Sequence, residues 1–388
     1  MAATFLSRLP NVVHIQERLL RLWYMRHGLR LLDVQVDDET SVACWAPRHY
    51  ADSLARSQSL KRNAAGPRNP DPDYRRASSA GRPKQPLLML HGFGASAIWQ
   101  WTNQVAAFSR DFDVLLPDLI FFGGSSSRSD QRSEFFQAGA MLRLLDRLGI
   151  SECSLVGLSY GGFVAYRMAC LEPGRVQRLV LAASGLMTSA EEHAAVLREW
   201  QVAHIAELLL PDHPAGVQRL MSLAYAQDAP SLPAWVLRST FEALFDNQEE
   251  KRDMLDEVLK YLAQTGLNET GLDETDLPAA SVDGGGLDGQ RPAGDGKHEQ
   301  SGMPPLQELN PYNIPVPEME TLLVWGSCDA IFPLSVAHRM HSHFGPVSSL
   351  AVLEGATHAL NIHRPKPFND AVMSFLRDGN NAEVDSNS

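Results

Sequence analysis

The chain has 388 residues, of which 44% are hydrophobic and 21% are charged, and its formal net charge at pH 7 is −12. These proportions are typical of a globular protein and exclude a fully disordered or collagen-like chain. The acidic balance argues against nucleic acid as a partner, because nucleic-acid binding needs a basic surface. No apolar stretch of the sequence is long enough, and free enough of polar residues, to form a transmembrane helix.

The N-terminal segment, residues 1–28, contains an amphipathic helix near 11–25. It lacks the apolar block and cleavage site of a secretory signal, so we expect an intracellular protein, either cytoplasmic or peripheral to a membrane. The helix fits three roles: an organelle presequence, a membrane-contacting helix or a helix docked on the domain. One predicted face is apolar and the other polar: Val12, Ile15, Leu19, Leu22 and Trp23 against His14, Glu17, Arg18 and Arg21.

Two interior segments differ in composition from the rest of the chain. Residues 48–84 carry nine basic and three acidic residues, and residues 266–302 carry eight acidic and two basic residues with nine glycines. Neither shows the periodicity of a packed element, so we expect a disordered basic loop at 48–84 and a disordered acidic insertion at 266–302. The tail at 378–388 is also expected to be disordered. Without these segments the chain length suits one domain.

Short apolar runs alternate with helical stretches over residues 29–185, and the pattern resumes at 318–377. This alternation predicts an α/β fold with a mostly parallel sheet and helices on both faces. Residues 186–317 read as helical without strands, which indicates a helical cap inserted between two strands of one sheet. The expected strands lie at 29–36, 41–46, 87–90, 113–116, 153–157, 176–183, 321–325 and 349–353.

A G-x-S-x-G motif, Gly157-Leu158-Ser159-Tyr160-Gly161, lies between a predicted strand and a predicted helix. A turn this sharp presents its middle residue to solvent, and its glycines permit close approach of the backbone. Ser159 is therefore the predicted nucleophile, and Gly157 and Gly161 are expected to support it.

A serine nucleophile needs a histidine base that is oriented by an acid, and in this architecture both follow the serine along the chain. His358 comes directly after the last predicted strand, and Asp329 follows the strand before it. We predict His358 as the base and Asp329 as the acid. The four cysteines show no spacing typical of a disulfide framework or of a metal site, and no metal is predicted.

Acyl transfer also needs hydrogen-bond donors for the developing oxyanion. The segment His91-Gly92-Phe93-Gly94 follows a strand in the position of such a donor loop. We predict the backbone N–H groups of Phe93 and Tyr160 as the donors. His91, Gly92 and Gly94 are expected to support the loop, with His91 bracing it through hydrogen bonds.

Together these residues resemble the α/β-hydrolase superfamily, and within it the capped branch of monoacylglycerol lipases, esterases and epoxide hydrolases, particularly plant members. The resemblance implies an eight-stranded, mostly parallel sheet, a helical cap and hydrolysis without a cofactor. Epoxide hydrolases of the superfamily use an aspartate nucleophile, which Ser159 disfavours. The motifs that carry the resemblance are His91-Gly92-Phe93-Gly94, Pro117-Asp118, Gly157–Gly162, Trp325–Asp329 and Gly355-Ala356-Thr357-His358.

The predicted function is therefore hydrolysis of a small-molecule or lipid-like carboxylic ester, for example a monoacylglycerol, through an acyl-enzyme. One alternative keeps the fold but makes the protein a slow or non-catalytic ligand receptor. A second alternative is a dinucleotide-binding oxidoreductase. It rests on Gly92–Ala97, which matches G-x-G-x-x-A, and on Asp118, which lies near the spacing of a ribose-binding acid. The sequence favours no particular oligomeric state or organelle.

Overall fold

The structure is a computed structural model of the full chain. It describes residues 11–63, 84–225, 229–245, 248–264 and 314–379. The predicted insertion at 266–302 lies outside the described residues, and so do residues 64–83 of the predicted basic loop and 380–388 of the predicted tail.

Strands and helices alternate along the described chain. The strands are β1 (Leu29–Gln35), β2 (Thr40–Pro47), β3 (Gln85–Leu90), β4 (Phe112–Pro117), β5 (Ser126–Ser127), β6 (Cys153–Leu158), β7 (Val176–Ala182), β8 (Thr321–Gly326) and β9 (Ser348–Leu353). The helices are α1 (Val12–Arg26), α2 (Arg48–Asn63), α3 (Ala97–Gln100), α4 (Thr102–Phe108), α5 (Glu134–Leu148), α6 (Tyr160–Leu171), α7 (Ala190–Trp200), α8 (Ala206–Leu209), α9 (Pro214–Tyr225), α10 (Ala234–Leu244), α11 (Gln248–Gln264), α12 (Leu334–Phe344), α13 (Leu360–His363) and α14 (Pro365–Asp378).

Eight strands of one sheet follow the order β1-β2-β4-β3-β6-β7-β8-β9. β1, β2 and β4 pair antiparallel, and every pair from β4 to β9 is parallel. The predicted mostly parallel sheet is confirmed, but it has nine strands where eight were predicted. β5, which pairs with β2, was not predicted, because two serines carry no apolar signal. The parallel strands bring their carboxyl ends to one edge of the sheet, where sites of such folds form.

The sheet is buried on both faces. Along β3, Leu88 and Leu90 pack in one hydrophobic cluster and Leu87 and Met89 pack in another. Because successive side chains of a strand point to opposite faces, the two clusters lie on the two sides of the sheet. Strands covered on both sides read as continuous apolar runs, which is why they were recognisable in the sequence.

Helix α1 is docked on the domain, but by a different face from the predicted apolar one. Tyr24 is fully buried, its ring lies 5.2 Å from that of Trp45, and its hydroxyl donates to the carbonyl oxygen of Ile98 at 3.3 Å. Val13 is buried on the same side. Ile15 and Leu19, by contrast, are 43% and 61% exposed. Hydrophobicity alone does not show which of two apolar faces meets the core.

Helix α2 corrects the predicted loop at 48–84, because residues 48–63 are helical. Tyr50 is buried, and Ala51 and Leu54 pack against the core. These three residues share one side of the helix over little more than one turn. The helix was missed because most residues of 48–63 are charged or polar.

Helices α7 to α11 lie between β7 and β8 in the chain and form their own small apolar clusters. One cluster includes Val196, Leu208 and Leu223, and the other joins Leu210 to Leu255. Phe332, which follows β8, packs on the first, and Phe93, which follows β3, packs on the second. These helices therefore contact loops at the carboxyl ends of the strands. Among the helices of the described ranges, none has the length and apolarity needed to cross a membrane.

Candidate active site

The turn between β6 and α6 carries the predicted nucleophile. β6 ends at Leu158 and α6 begins at Tyr160, so Ser159 is the single residue between them. Its φ of 52° and ψ of −120° are rare for a residue with a side chain. The Ser159 amide donates to the carbonyl oxygen of Ala182 at 2.8 Å, which ties the turn to β7. Ser159 is half-buried, whereas the whole of β6 before it is buried.

The two glycines of the motif are required because backbones meet at this turn. A Cβ atom added to Gly157 would lie 2.4 Å from the carbonyl oxygen of Gly161. A Cβ atom added to Gly161 would lie 2.3 Å from the carbonyl oxygen of Leu90. Gly161 thus lets the first turn of α6 rest on the end of β3.

Ser159, His358 and Asp329 lie together at the carboxyl edge of the sheet. The Ser159 Oγ atom is 3.0 Å from His358 Nε2, and His358 Nδ1 is 2.9 Å from Asp329 Oδ2. Asp329 follows β8 and His358 follows β9, so the three residues come from the ends of three strands. The structure brings the three predicted residues into one hydrogen-bonded chain.

The Asp329 carboxylate is held by the backbone as well as by the histidine. Its Oδ1 atom accepts the N–H of Ile331 at 2.8 Å and that of Phe332 at 3.0 Å. The Asp329 side chain has no exposed surface, whereas 11% of the His358 side chain is exposed. A carboxylate fixed in this way can orient the imidazole and stabilise its protonated form.

The predicted donor loop runs beside the serine. A Cβ atom added to Gly92 would lie 3.1 Å from Ser159 Cβ, and the rings of Phe93 and Tyr160 lie 5.9 Å apart. Tyr160 begins α6, so its N–H has no acceptor within the helix. Neither this N–H nor that of Phe93 bonds to any residue of the described ranges. Both are therefore available to an oxyanion. Gly94 has a φ of 106°, which favours glycine.

His91 supports the donor loop through hydrogen bonds to the backbone. The N–H of Leu119 donates to His91 Nε2 at 2.9 Å, so the ring proton lies on Nδ1, which faces the carbonyl oxygen of Gly92 at 2.8 Å. The ring is fully buried, and burial lowers its pKa to about 4. His91 is therefore neutral at pH 7 and both of its nitrogens are occupied by the backbone.

The family assignment follows from the sequence as a whole. A family model described as the alpha/beta hydrolase fold matches residues 85–365, which is more than half of the chain. The chain belongs to this family. The order of the strands, the inserted helices and the serine turn agree with that assignment.

Several known proteins resemble this α/β hydrolase. The dihydrolipoyllysine-residue acetyltransferase component of the acetoin cleaving system of Pseudomonas putida is 28% identical over 293 residues, which are 75% of this chain and 63% of that protein. Epoxide hydrolase 4 of Mus musculus is 26% identical over 313 residues, which are 79% of this chain and 76% of that protein. The crystal structure of a membrane phospholipase A, described as a novel bacterial virulence factor, matches with a TM-score of 0.62 at 21% identity and covers 98% of this chain and 93% of that one. The names of these proteins describe different activities, so the likeness to them does not identify the reaction of this chain.

Two further residues position the site of this α/β hydrolase and were not predicted. The Gln100 side chain accepts the N–H of Gly92 at 2.8 Å and donates to its carbonyl oxygen at 3.1 Å, so it clamps the donor loop. The ring of Phe332 lies 5.6 Å from that of His358. Gln100 lies eight residues from Gly92 on a four-residue helix, and no sequence pattern marks that contact. The only sequence signal for a role of Phe332 in the site is that it lies three residues after Asp329 along the chain.

Asp118 shows why the dinucleotide alternative loses its support. Its carboxylate accepts the N–H of Ala97 and that of Gly124, both at 2.9 Å, and burial raises its pKa to about 6. Each carboxylate oxygen thus accepts a backbone N–H, one from the start of α3 and one from the glycine turn that follows β4, so the carboxylate serves to hold these two segments together. Within the described residues no three His, Cys, Asp or Glu side chains are grouped to hold a metal ion.

The buried neutral state of His91 predicts a pH dependence of stability. The unfolded chain takes up a proton at this histidine below about pH 6.5, but the folded chain does so only near pH 4. Its contribution to stability is therefore complete above about pH 6.5 and is lost as pH falls towards 4, by up to about 1.4 kcal/mol per pH unit.

A His91→Gln variant isolates this contribution, because the glutamine oxygen can still accept the N–H of Leu119 but does not titrate. Between pH 7 and pH 5, the free energy of urea unfolding of the native protein should fall by about 2 kcal/mol relative to the variant. Asp118 is present in both proteins, so its titration cancels in the comparison. Parallel pH profiles would show that His91 is not buried in its neutral form.

Proposed function

We propose that this protein is a serine hydrolase of carboxylic esters, in which Ser159 is the nucleophile, His358 the general base and Asp329 the residue that orients it. The observation that carries the proposal is the hydrogen-bonded chain from Ser159 Oγ through His358 to Asp329. The N–H groups of Phe93 and Tyr160 are proposed as the oxyanion donors.

The proposed reaction has two halves. His358 Nε2 takes the Ser159 proton while Oγ attacks the ester carbonyl, and the tetrahedral oxyanion is stabilised by the two amides. The intermediate collapses to an acyl-enzyme, and His358 gives its proton to the leaving alcohol. Water then attacks the acyl group with His358 again as base, which releases the acid and restores Ser159.

A serine at position 159 favours esters over epoxides. In epoxide opening by a carboxylate nucleophile, the covalent intermediate is an ester that water can hydrolyse. Attack on an epoxide by the Ser159 hydroxyl would instead give an ether, which the same site has no means to cleave. The likeness to epoxide hydrolase 4 is therefore taken as one of fold and not of reaction.

A lipid-like acyl group is the proposed substrate class, with a monoacylglycerol as an example. The Phe332 ring lies 5.6 Å from that of His358 and the Phe93 ring 5.9 Å from that of Tyr160, and both phenylalanines pack on clusters formed by the helices between β7 and β8. Leu209 of α8 packs on the same two clusters. We propose that residues 186–317 form a cap whose apolar side chains receive the acyl chain.

Labelling with a fluorophosphonate probe tests the nucleophile. We expect the native protein to be labelled at one serine and the Ser159→Ala variant to remain unlabelled, with unchanged far-UV circular dichroism. A Ser184→Ala variant provides a matched control, since Ser184 is buried in the loop that follows β7 and should leave labelling intact. Absence of labelling in the native protein would favour a non-catalytic ligand receptor, and equal labelling of the Ser159→Ala variant would place the nucleophile elsewhere.

A series of aryl esters tests the substrate class. Each methylene that enters an apolar pocket contributes about 0.8 kcal/mol, so the four methylenes that separate the acetate from the hexanoate ester should raise kcat/KM by up to about 200-fold. Activity that is confined to the acetate would contradict the lipid-like acyl group while leaving the serine mechanism intact.

A further inference from the structure

The outer face of α1 is an apolar stripe that no described part of the chain covers. Across the described residues, eight large hydrophobic side chains are exposed, and four of them lie on this helix. They are Ile15, Leu19, Leu22 and Met25, which are 43%, 61%, 59% and 37% exposed. Their spacing places them along one side of the helix over about 15 Å.

The charges around the stripe are basic. At about 100° per residue, Arg26 lies about 20° and Arg18 about 60° around the helix from Ile15. Both arginines are exposed, and neither forms an ion pair with a residue of the described ranges. The only acidic residue of the helix, Glu17, lies on the far side and is paired with Arg21. The stripe therefore combines apolar and positive groups and carries no negative charge.

We propose that this face docks on an anionic lipid surface, with α1 lying in the plane of the interface. A helix with an apolar stripe flanked by arginines suits that position, because the stripe enters the headgroup boundary while the arginines meet lipid phosphates. A second copy of the chain fits less well, since a symmetric contact would bring Arg18 and Arg26 of both copies to the same interface.

Helix α1 is hydrogen-bonded to the domain near both of its ends, so binding through it would orient the whole domain. The Tyr24 hydroxyl donates to carbonyl oxygens of α3, and α3 directly follows the donor loop. At its other end, Asn11 donates through Nδ2 to the carbonyl oxygen of Ser239 on α10 at 3.0 Å. The docking face is thus held beside both the donor loop and the helices proposed as the cap.

Co-sedimentation of the full chain with vesicles tests the proposal. We expect binding to phosphatidylcholine vesicles that contain about a third phosphatidylserine, and weaker binding to phosphatidylcholine alone. Replacing Ile15, Leu19 and Leu22 together by serine should lower the partition coefficient by about tenfold or more. Replacing Arg18 and Arg26 by glutamine should lower it by a similar factor on the anionic vesicles only.

The Val352→Ser variant is the matched control, since Val352 is 39% exposed on β9, at the opposite edge of the sheet. It should bind as the native protein does. All variants should keep their melting temperature and their hydrolysis of a soluble aryl ester, because the stripe lies outside the core and the site. Vesicle binding is measured without any ester hydrolysis. A protein that does not bind vesicles would therefore contradict the membrane proposal and leave the esterase proposal untouched. The proposal would be overturned if the native protein did not bind anionic vesicles, or if the serine substitutions left its binding unchanged. It would also be overturned if the protein were a dimer that the serine substitutions dissociate while vesicle binding stays the same.

Discussion

Replacing His358 by alanine is expected to slow ester hydrolysis by about 10⁴- to 10⁶-fold. The Ser159 hydroxyl would lose the base that lies 3.0 Å away, and no other described side chain bonds to its Oγ atom. The fold should be kept, because His358 lies in the loop after β9 and its hydrogen bonds join residues of the site and not strands of the sheet. Steady-state kinetics with a soluble aryl ester measures the loss.

The Asp329→Asn variant gives a sharper test of the same chain of hydrogen bonds. The backbone N–H groups of Ile331 and Phe332 both donate to Oδ1, so an asparagine oxygen would take that position and its NH₂ group would face His358 Nδ1. The ring proton would then move to Nε2, where it blocks removal of the Ser159 proton. We expect kcat to fall by about 10⁴-fold at pH 7, the order found when the acid of such a triad is neutralised.

The two substitutions should not be additive. Once His358 is absent, Asp329 has no imidazole to orient, so the His358→Ala/Asp329→Asn double variant should be no slower than His358→Ala alone. His338→Ala is the control, since His338 is exposed on α12 and should leave kcat/KM unchanged. Additive losses in the double variant would show that Asp329 acts independently of the histidine.

The Gly161→Ala variant should show a large loss of stability. The added methyl group would lie 2.3 Å from the carbonyl oxygen of Leu90 and 2.5 Å from that of His91. Both obstacles are backbone atoms, so a side-chain rotation cannot relieve them. We expect a loss of about 3 kcal/mol or more in the free energy of urea unfolding. Activity should fall too, because separating α6 from β3 moves the Tyr160 N–H away from the donor loop.

Gly174 offers a matched substitution in the same part of the chain. It follows α6, and a Cβ atom added there would meet no atom within 4 Å. Gly174→Ala should therefore change the free energy of unfolding by no more than about 0.5 kcal/mol and leave kcat unchanged. If Gly161→Ala proved as stable as Gly174→Ala, the close approach of α6 to β3 would not exist in solution.

Much of the fold could be predicted because its determinants are local. The strands β3 and β6 are short apolar runs buried on both faces, and the glycines around Ser159 mark a turn that only small neighbours permit. Candidates for the late acid and base were also predictable, since each follows a strand end in the expected chain order. Their hydrogen-bond geometry required the structure.

The features that the sequence did not predict depend on contacts between distant segments. Gln100 clamps the donor loop only because α3 folds back beside Gly92. Tyr50, Ala51 and Leu54 of helix α2 pack in the core, but three apolar residues are too short a signal to outweigh the polar composition of 48–63. Helix α1 docks on the domain through Tyr24, a residue with a polar hydroxyl group, while Leu19 and Leu22 are exposed, so the apolar face visible in the sequence is not the face that meets the core.

The direct pairing of β7 with β8 has a consequence for how this enzyme fold can diversify. Ala182 and Val324 are register partners in adjacent parallel strands, yet the 141 residues between them include all of helices α7 to α11. The entropic cost of closing a loop rises by only about 0.6 kcal/mol for each doubling of its length. The segment between β7 and β8 can therefore vary in length at little cost to the stability of the strands that precede Ser159, Asp329 and His358. If the helices between β7 and β8 receive the acyl chain as proposed, a chimera with a foreign segment there is expected to accept different esters while keeping the geometry of Ser159, His358 and Asp329.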